Sequence, residues 1–186
     1  RAMLHIQGVN TPFSSPLTGA FNLENILSAA GAAHALGIPP DIICRGIEAC
    51  KGVPGRLERL NNPGNRFIFV DYAHTPDALE SILKTLKLVA PGRIITVFGC
   101  GGDRDRSKRP LMGKIAATYS DIALVTSDNP RTEPPEEIIT DILTGMTSTA
   151  PSHEKVVWLS RLTDPVSSPS PILVEPDRKK ALQAAV

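Results

Sequence analysis

The sequence predicts an α/β fold with a mostly parallel sheet, and three observations carry that prediction. Short apolar runs recur at residues 66–71, 93–98 and 122–127. Segments of helical periodicity follow them at 77–90, 110–119 and 135–146. Between each run and its helix stands a loop rich in Gly, Pro or charge. Strands that alternate with helices are joined by crossovers, and crossovers set neighbouring strands parallel.

Each element has a local reason. Residues 1–21 alternate weakly and are broken by Gly8, Pro12, Pro16 and Gly19, which reads as one or two strands with turns. Residues 22–36 are rich in Ala and Leu and end at Gly37 and Pro39, helix-stop signals in their usual order. Pro40 and Asp41 open a second helix with Ile43, Ile47 and Cys50 on one side. Gly52, Pro54 and Gly55 then punctuate the chain, and a domain boundary is expected there, dividing 1–54 from 55–186. The 77–90 helix gathers Leu79, Ile82, Leu83 and Leu86 on one face. The 110–119 helix carries Pro110 in its tolerant first turn. The 135–146 helix shares Ile138, Ile139, Ile142, Leu143 and Met146 on a face, with Glu136 and Glu137 complementing its positive N-terminal end. Either 156–159 or 172–174 supplies a further strand, and 177–186 begins a last helix. The Ser/Pro-rich stretch 163–171 reads as a surface loop.

Composition excludes several classes. With 20 Lys+Arg against 19 Asp+Glu the 186-residue chain is almost neutral, unlike a protein that coats nucleic acid. Hydrophobic residues make 41% but aromatics only 4%, so the core is aliphatic. No apolar run is long enough to cross a membrane. Three cysteines, an odd number with no C-x-x-C pair, argue against a disulfide framework or a zinc site and suit a reducing compartment. The chain opens on Arg1 and stops inside a helical pattern, so it is read as a piece of something longer.

Ligands of open parallel sheets bind beyond the carboxyl ends of the strands. Three loops are expected on that edge: Asp71 to Pro76 (DYAHTP), Gly99 to Arg109 (GCGGDRDRSKR) and Asp128 to Arg131 (DNPR). The second is neither a dinucleotide fingerprint nor a Walker phosphate loop. Its basic, Gly-rich character suits carboxylate or phosphate capture, or its Asp and Arg groups pair among themselves. In the third loop Asn129 offers both donor and acceptor, and Arg131 presents a planar fork that matches a carboxylate; a plain βα turn is the other reading. Asp71 suits ribose hydroxyls, and His74 suits a ligand contact or a helix cap. Asn22 and Asn25 share a helix face and suit a purine edge, unless Asn22 is an N-cap. Arg56 suits a phosphate, or a pairing with Glu58.

Taken in order, the blocks FNLENIL (21–27), GVPGRLE (52–58), DYAHTPDAL (71–79), FGCGGDRD (98–105), KRPLM (108–112) and TSDNPRTE (126–133) closely resemble the Mur ligase family, in its diaminopimelate-adding branch. The likeness runs from about residue 4 to 146 and resumes at EPDRKKAL (175–182), leaving about 147–174 as an insertion-like segment. The resemblance implies a Rossmann-like C-terminal ligase domain at 55–186, preceded at 1–54 by the tail of a central ATPase domain. It implies an ATP-dependent amide ligase of peptidoglycan synthesis, with Mg2+ clamping the phosphates. The carboxylate of a UDP-MurNAc-dipeptide is phosphorylated, and the amine of meso-diaminopimelate attacks the acyl phosphate. It further implies a cytoplasmic monomer (plastid in a plant) with no nucleic-acid or membrane partner. Asn22, Asn25, Arg56, Asp71 and His74 match the family's ATP-side positions; Arg104, Asp128, Asn129 and Arg131 match those that hold the diamino acid. The arginine of D-N-P-R separates diaminopimelate enzymes from lysine enzymes. The family's P-loop, carbamylated lysine and G-K-G-H-E motif have no match in this sequence, which alone is not expected to turn over. A non-catalytic scaffold of plastid type is the alternative.

Overall fold

The computed structural model describes residues 1–17, 19–62, 66–147, 156–159 and 172–186. The 163–171 loop, and all of the 147–174 segment except residues 147, 156–159 and 172–174, lie outside the described residues. The chain divides into two compact units, Arg1–Tyr72 and Ala73–Val186.

Unit 1 opens with an antiparallel hairpin, β1 (Ala2–Ile6) and β2 (Val9–Phe13), which realises the strand-and-turn reading of its first residues. Helix α1 (Ala20–Ala35) and helix α2 (Pro40–Ala49) follow. Ile26, Ala30, Ile43 and Cys44 from the helices meet Leu4 and Phe13 from the hairpin in an aliphatic core. Helix α1 begins earlier than its sequence pattern suggests, after Gly19 at φ 102°, so Asn22 lies inside the first turn and does not cap it. Cys50 falls just beyond α2 and is exposed.

The unit closes with β3 (Glu58–Leu60) paired antiparallel to β4 (Ile68–Val70). This corrects the sequence reading twice. Strand β3 was not expected, and β4, the 66–71 run, lies outside the parallel sheet. An apolar run reports that a strand wants cover on its faces; it does not name its partner.

Unit 2 is the expected parallel α/β sheet. Helix α3 (Pro76–Val89) leads into β5 (Ile95–Phe98), α4 (Lys108–Tyr119), β6 (Ile122–Val125), α5 (Pro135–Thr147), β7 (Val156–Trp158), β8 (Ile172–Val174) and α6 (Arg178–Ala185). Both candidate late strands form, where one was expected, and the parallel order is β5-β6-β8-β7. Caps set the helix starts. The Thr75 hydroxyl accepts the Ala78 N–H of α3, and the Asp177 carboxylate accepts the Lys179 and Lys180 N–H groups of α6. The core joins Leu79 and Leu83 of α3, Met112 and Ala116 of α4, Ile138, Ile139, Ile142 and Met146 of α5, and Val125, Ile172 and Val174 of the sheet. Full burial of each such aliphatic side chain is worth about 1.5–3 kcal/mol.

All three cysteines are free thiols; Cys44 and Cys100 are buried and Cys50 is exposed. Burial pushes the Cys100 thiol up to about 11 and raises that of Cys44. Iodoacetamide on the intact folded protein at pH 8 is therefore expected to alkylate Cys50 and spare Cys44 and Cys100, as read by peptide mass spectrometry. Equal labelling of Cys50 and Cys100 contradicts the burial.

Candidate functional site

The parallel pairing of β5 with β6 brings the loops that follow them to one sheet edge. There they touch backbone to backbone. The buried Gly102 donates its N–H to the Asn129 carbonyl at 2.8 Å. A Cβ on Gly102 would sit 1.8 Å from the Pro130 carbonyl oxygen, so only glycine permits the approach. Across the contact two non-glycine residues, Asp103 and Arg131, both hold the left-handed conformation at φ 51°.

Side chains then lace the loops together. The Asp103 carboxylate accepts the Thr132 hydroxyl at 2.8 Å and the Thr132 N–H at 3.2 Å. In return the Asp103 N–H donates to Glu133 Oε1 at 2.6 Å. Glu133 also receives Arg109 Nη2 at 2.7 Å, Arg109 Nη1 at 3.0 Å and Arg106 Nη2 at 2.6 Å. Arg109 is 0% exposed and reaches Asp141 Oδ2 on α5 at 2.8 Å and the Gly101 carbonyl at 3.3 Å. The Arg109 hydrogen bonds hold the Glu133 carboxyl at about 2, with the Asp103 N–H and the charges of Arg109 and Arg106 acting in the same direction. The guanidinium of Arg109 is raised in turn, chiefly by Glu133.

The four residues expected to hold an amino acid all lie on these interlocked loops. Arg131 is exposed, and its Nη1 donates to the Gly102 carbonyl. Arg104 is exposed, with Nη1 3.4 Å from the Asp103 carbonyl. Asp128 and Asn129 are exposed between the end of β6 and Pro130. The charged loop does not simply pair with itself: Asp105 accepts Ser107, while Arg106 and Arg109 reach across to Glu133.

The third loop on the edge differs from the expected one. DYAHTP does not follow a strand of this sheet; the turn after β8 takes that place. The Ser127 N–H and Thr126 hydroxyl donate to the Pro176 carbonyl, and Arg178 Nη1 donates to the Ser127 carbonyl at 3.3 Å. Glu175 is buried there and accepts the Asp177 N–H at 3.0 Å.

The ATP-side residues are distributed otherwise. In unit 1, Asn22, Asn25 and Arg56 line a cleft of about 570 Å³ whose floor is Ile26, Ala30, Ile43 and Ile47. The Asn25 amide lies 3.4 Å from Asn22 Oδ1. Arg56 stacks over the Tyr72 ring at 5.3 Å, while Glu58 accepts the Gly55 N–H. The carboxylate of Asp71 accepts the Leu57 N–H at 2.6 Å, just where the Tyr72 N–H meets the Gly55 carbonyl at 2.8 Å. His74 belongs to unit 2 and is exposed; its carbonyl accepts Lys108 Nζ at 3.0 Å, and Thr75 takes the cap role. Among the described residues no three His, Cys, Asp or Glu side chains gather as a metal site. Also among the described residues, no helix is long and apolar enough to cross a membrane.

Sequence reasoning did not single out Arg109, Glu133, Asp141 or Glu175. The clue to Glu133 was its place two residues beyond Arg131; nothing local marks Arg109 in KRPLM as buried.

The parallel sheet with loops interlocked at its carboxyl edge, together with the sequence, places the chain in a known class of ligases. The chain belongs to the Mur ligase family: residues 55–186 match its glutamate ligase domain. Within that family it is 61% identical over 137 residues to the UDP-N-acetylmuramoyl-L-alanyl-D-glutamate–2,6-diaminopimelate ligase of Geobacter metallireducens, covering 74% of this chain and 27% of that protein. The ligase of the same name from Synechococcus elongatus is 44% identical over 176 residues, covering 94% of this chain and 31% of its own. A solved structure of a ligase of that name is similar with TM-score 0.60 and 36% identity over 96% of this chain and 32% of its own. The chain thus spans about a third or less of the relatives it matches.

Proposed function

We propose that this chain is part of an ATP-dependent ligase that joins meso-diaminopimelate to UDP-MurNAc-L-Ala-D-Glu in peptidoglycan synthesis. The observation that carries the reading is the interlocking of the Gly101–Gly102 and Asp128–Arg131 backbones, with Arg104 and Arg131 exposed on the two sides. Relatives named for diaminopimelate ligation at up to 61% identity support it; none of those described above is named as a scaffold.

The chemistry asks two things of these residues. The incoming diamino acid differs from lysine by a second carboxylate at its far end. The Arg131 fork receives that carboxylate, with Arg104, Asp128 and Asn129 placing the remaining amino and carboxylate groups. With lysine bound, the same guanidinium would lack its counter-charge, which is the source of discrimination. ATP phosphorylates the dipeptide carboxylate, the placed amine attacks the carbonyl carbon of the acyl phosphate, and phosphate leaves. In unit 1, Asn22 and Asn25 read the adenine edge over the apolar floor of the cleft, and Arg56 faces the phosphates. Asp71 and His74 serve the ribose side. A magnesium ion would supply charge neutralisation of those phosphates. On this reading residues 1–54 are the tail of a central ATPase domain and 55–186 the C-terminal ligase domain.

The test is Arg131→Ala in the full-length protein. Loss of one charge-assisted carboxylate contact of about 2 kcal/mol is expected to raise the diaminopimelate KM about thirtyfold. The ATP KM is expected to stay within about twofold. An equal rise for both substrates would refute the assignment.

A further inference from the structure

We propose that Asp103, Thr132 and Glu133, anchored from beneath by Arg109, form a clasp that positions Arg104 and Arg131 for the diamino acid. The inference rests on the proposed diaminopimelate site and assigns it positioning residues.

The two ligand-facing arginines stand beside the clasp in sequence: Arg104 follows Asp103, and Arg131 precedes Thr132 and Glu133. The clasp runs both ways. Asp103 lends its carboxylate to the Thr132 N–H and hydroxyl, and its own N–H is received by the Glu133 carboxylate. Asp103 and Arg131 both keep φ at 51°, a conformation that side-chain-bearing residues leave unless neighbouring contacts hold them. The clasp contacts supply that hold on both loops at once. Arg109 then fixes the clasp to the body of the unit. Its guanidinium is wholly buried, grips both oxygens of Glu133, and is tied to Asp141 of α5 and to the Gly101 carbonyl. The exposed ends of Arg104 and Arg131 are therefore carried on backbone that is locked below the surface. That is the arrangement needed to keep two long side chains on one small dianion-bearing ligand. None of the clasp groups need touch the ligand, so they are positioning residues.

Steady-state kinetics of the full-length ligase separates this role from simple stability. Glu133→Gln keeps the shape of the side chain and removes its charge; it is expected to raise the diaminopimelate KM about tenfold while kcat and the ATP KM change less than about twofold. Ile142→Val trims the buried core of α5 without touching the clasp or Arg109. It is expected to lower the melting temperature while leaving the diaminopimelate KM within about twofold. Thr132→Val removes the exposed hydroxyl bond and is expected to raise that KM severalfold, and Thr132→Ser to restore it. Equal KM effects from Glu133→Gln and Ile142→Val would overturn the clasp. So would an unchanged KM in Glu133→Gln when Arg131→Ala raises it. Should Glu133→Gln fail to fold, the Thr132→Val and Thr132→Ser pair decides alone. An unchanged KM in Arg131→Ala itself would remove the diaminopimelate reading, and the clasp with it.

Discussion

Arg109→Leu is expected to destabilise unit 2 by about 3 kcal/mol, the lower end of what breaking a buried ion pair costs. The reasoning starts from the partners left behind. Glu133 is 9% exposed and would keep Arg106 and the Asp103 N–H, so its charge is not abandoned. Asp141 has a side chain 39% exposed and can be hydrated. The Gly101 carbonyl loses its donor, and a branched apolar side chain replaces a group that filled the same space. Acid should expose the cause. Glu133 is held at about 2 when folded, against an ordinary 4.5. Its contribution is thus complete above the unfolded value and is lost as pH falls from about 4.5 towards 2. In the variant the largest cause of that depression is gone. The gap in melting temperature between the wild type and Arg109→Leu should therefore narrow from pH 7 to pH 3.5. Thermal melts of the intact protein at both pH values check this; a gap that widens in acid would show that Glu133 is not what Arg109 stabilises.

Gly145→Ala is expected to be at least as damaging, for a steric reason. A Cβ at Gly145 would lie 1.8 Å from the Pro110 carbonyl oxygen and 2.5 Å from its carbonyl carbon, where α5 crosses α4. Neither atom is the end of a flexible side chain, so the two helices must separate. Arg109 and Met112 of α4, and Ile142 and Met146 of α5, are all buried around this crossing and would lose contacts together. Overpacking of this severity costs about 3 kcal/mol or more, or roughly 10–15 °C in melting temperature. Hydrogen exchange in the intact protein should show α4 and α5 deprotected first. Protection equal to the wild type would mean that the crossing tolerates a methyl group.

Unit 2 was legible in the sequence wherever periodicity and capping agreed. Helix α3 announces itself through Pro76 and Asp77 in its first turn and through Leu79 and Leu83 one turn apart. Strand β6 appears as a continuous apolar run because a parallel sheet covered by helices buries both its faces, whereas β5, at the end of the strand order, is apolar with Ile95 exposed. Pairing was not legible. Glu58, Arg59 and Leu60 make a three-residue strand with two charged members, which no alternation rule detects. The 66–71 run looked like a parallel strand, yet Phe67 is 55% and Val70 43% exposed, and β4 pairs antiparallel with β3. The candidate site divides in the same way. Residues that face solvent, such as Arg104 and Arg131, stand out by type and motif. Residues that support them do not, because the burial of Arg109 is decided by Glu133 and Asp141, 24 and 32 positions away.

The strand order has a kinetic consequence. Strand β8 follows β7 in the chain but pairs between β6 and β7. As the polypeptide emerges from the ribosome, β7 has, among the described residues, no neighbour in this sheet until residues 172–174 arrive. The turn bearing Glu175 and Arg178, which ties down Ser127, can set only after that. Joining of β7 to the sheet therefore waits for β8, and a nascent chain stopped short of β8 exposes the β6 edge to other strands.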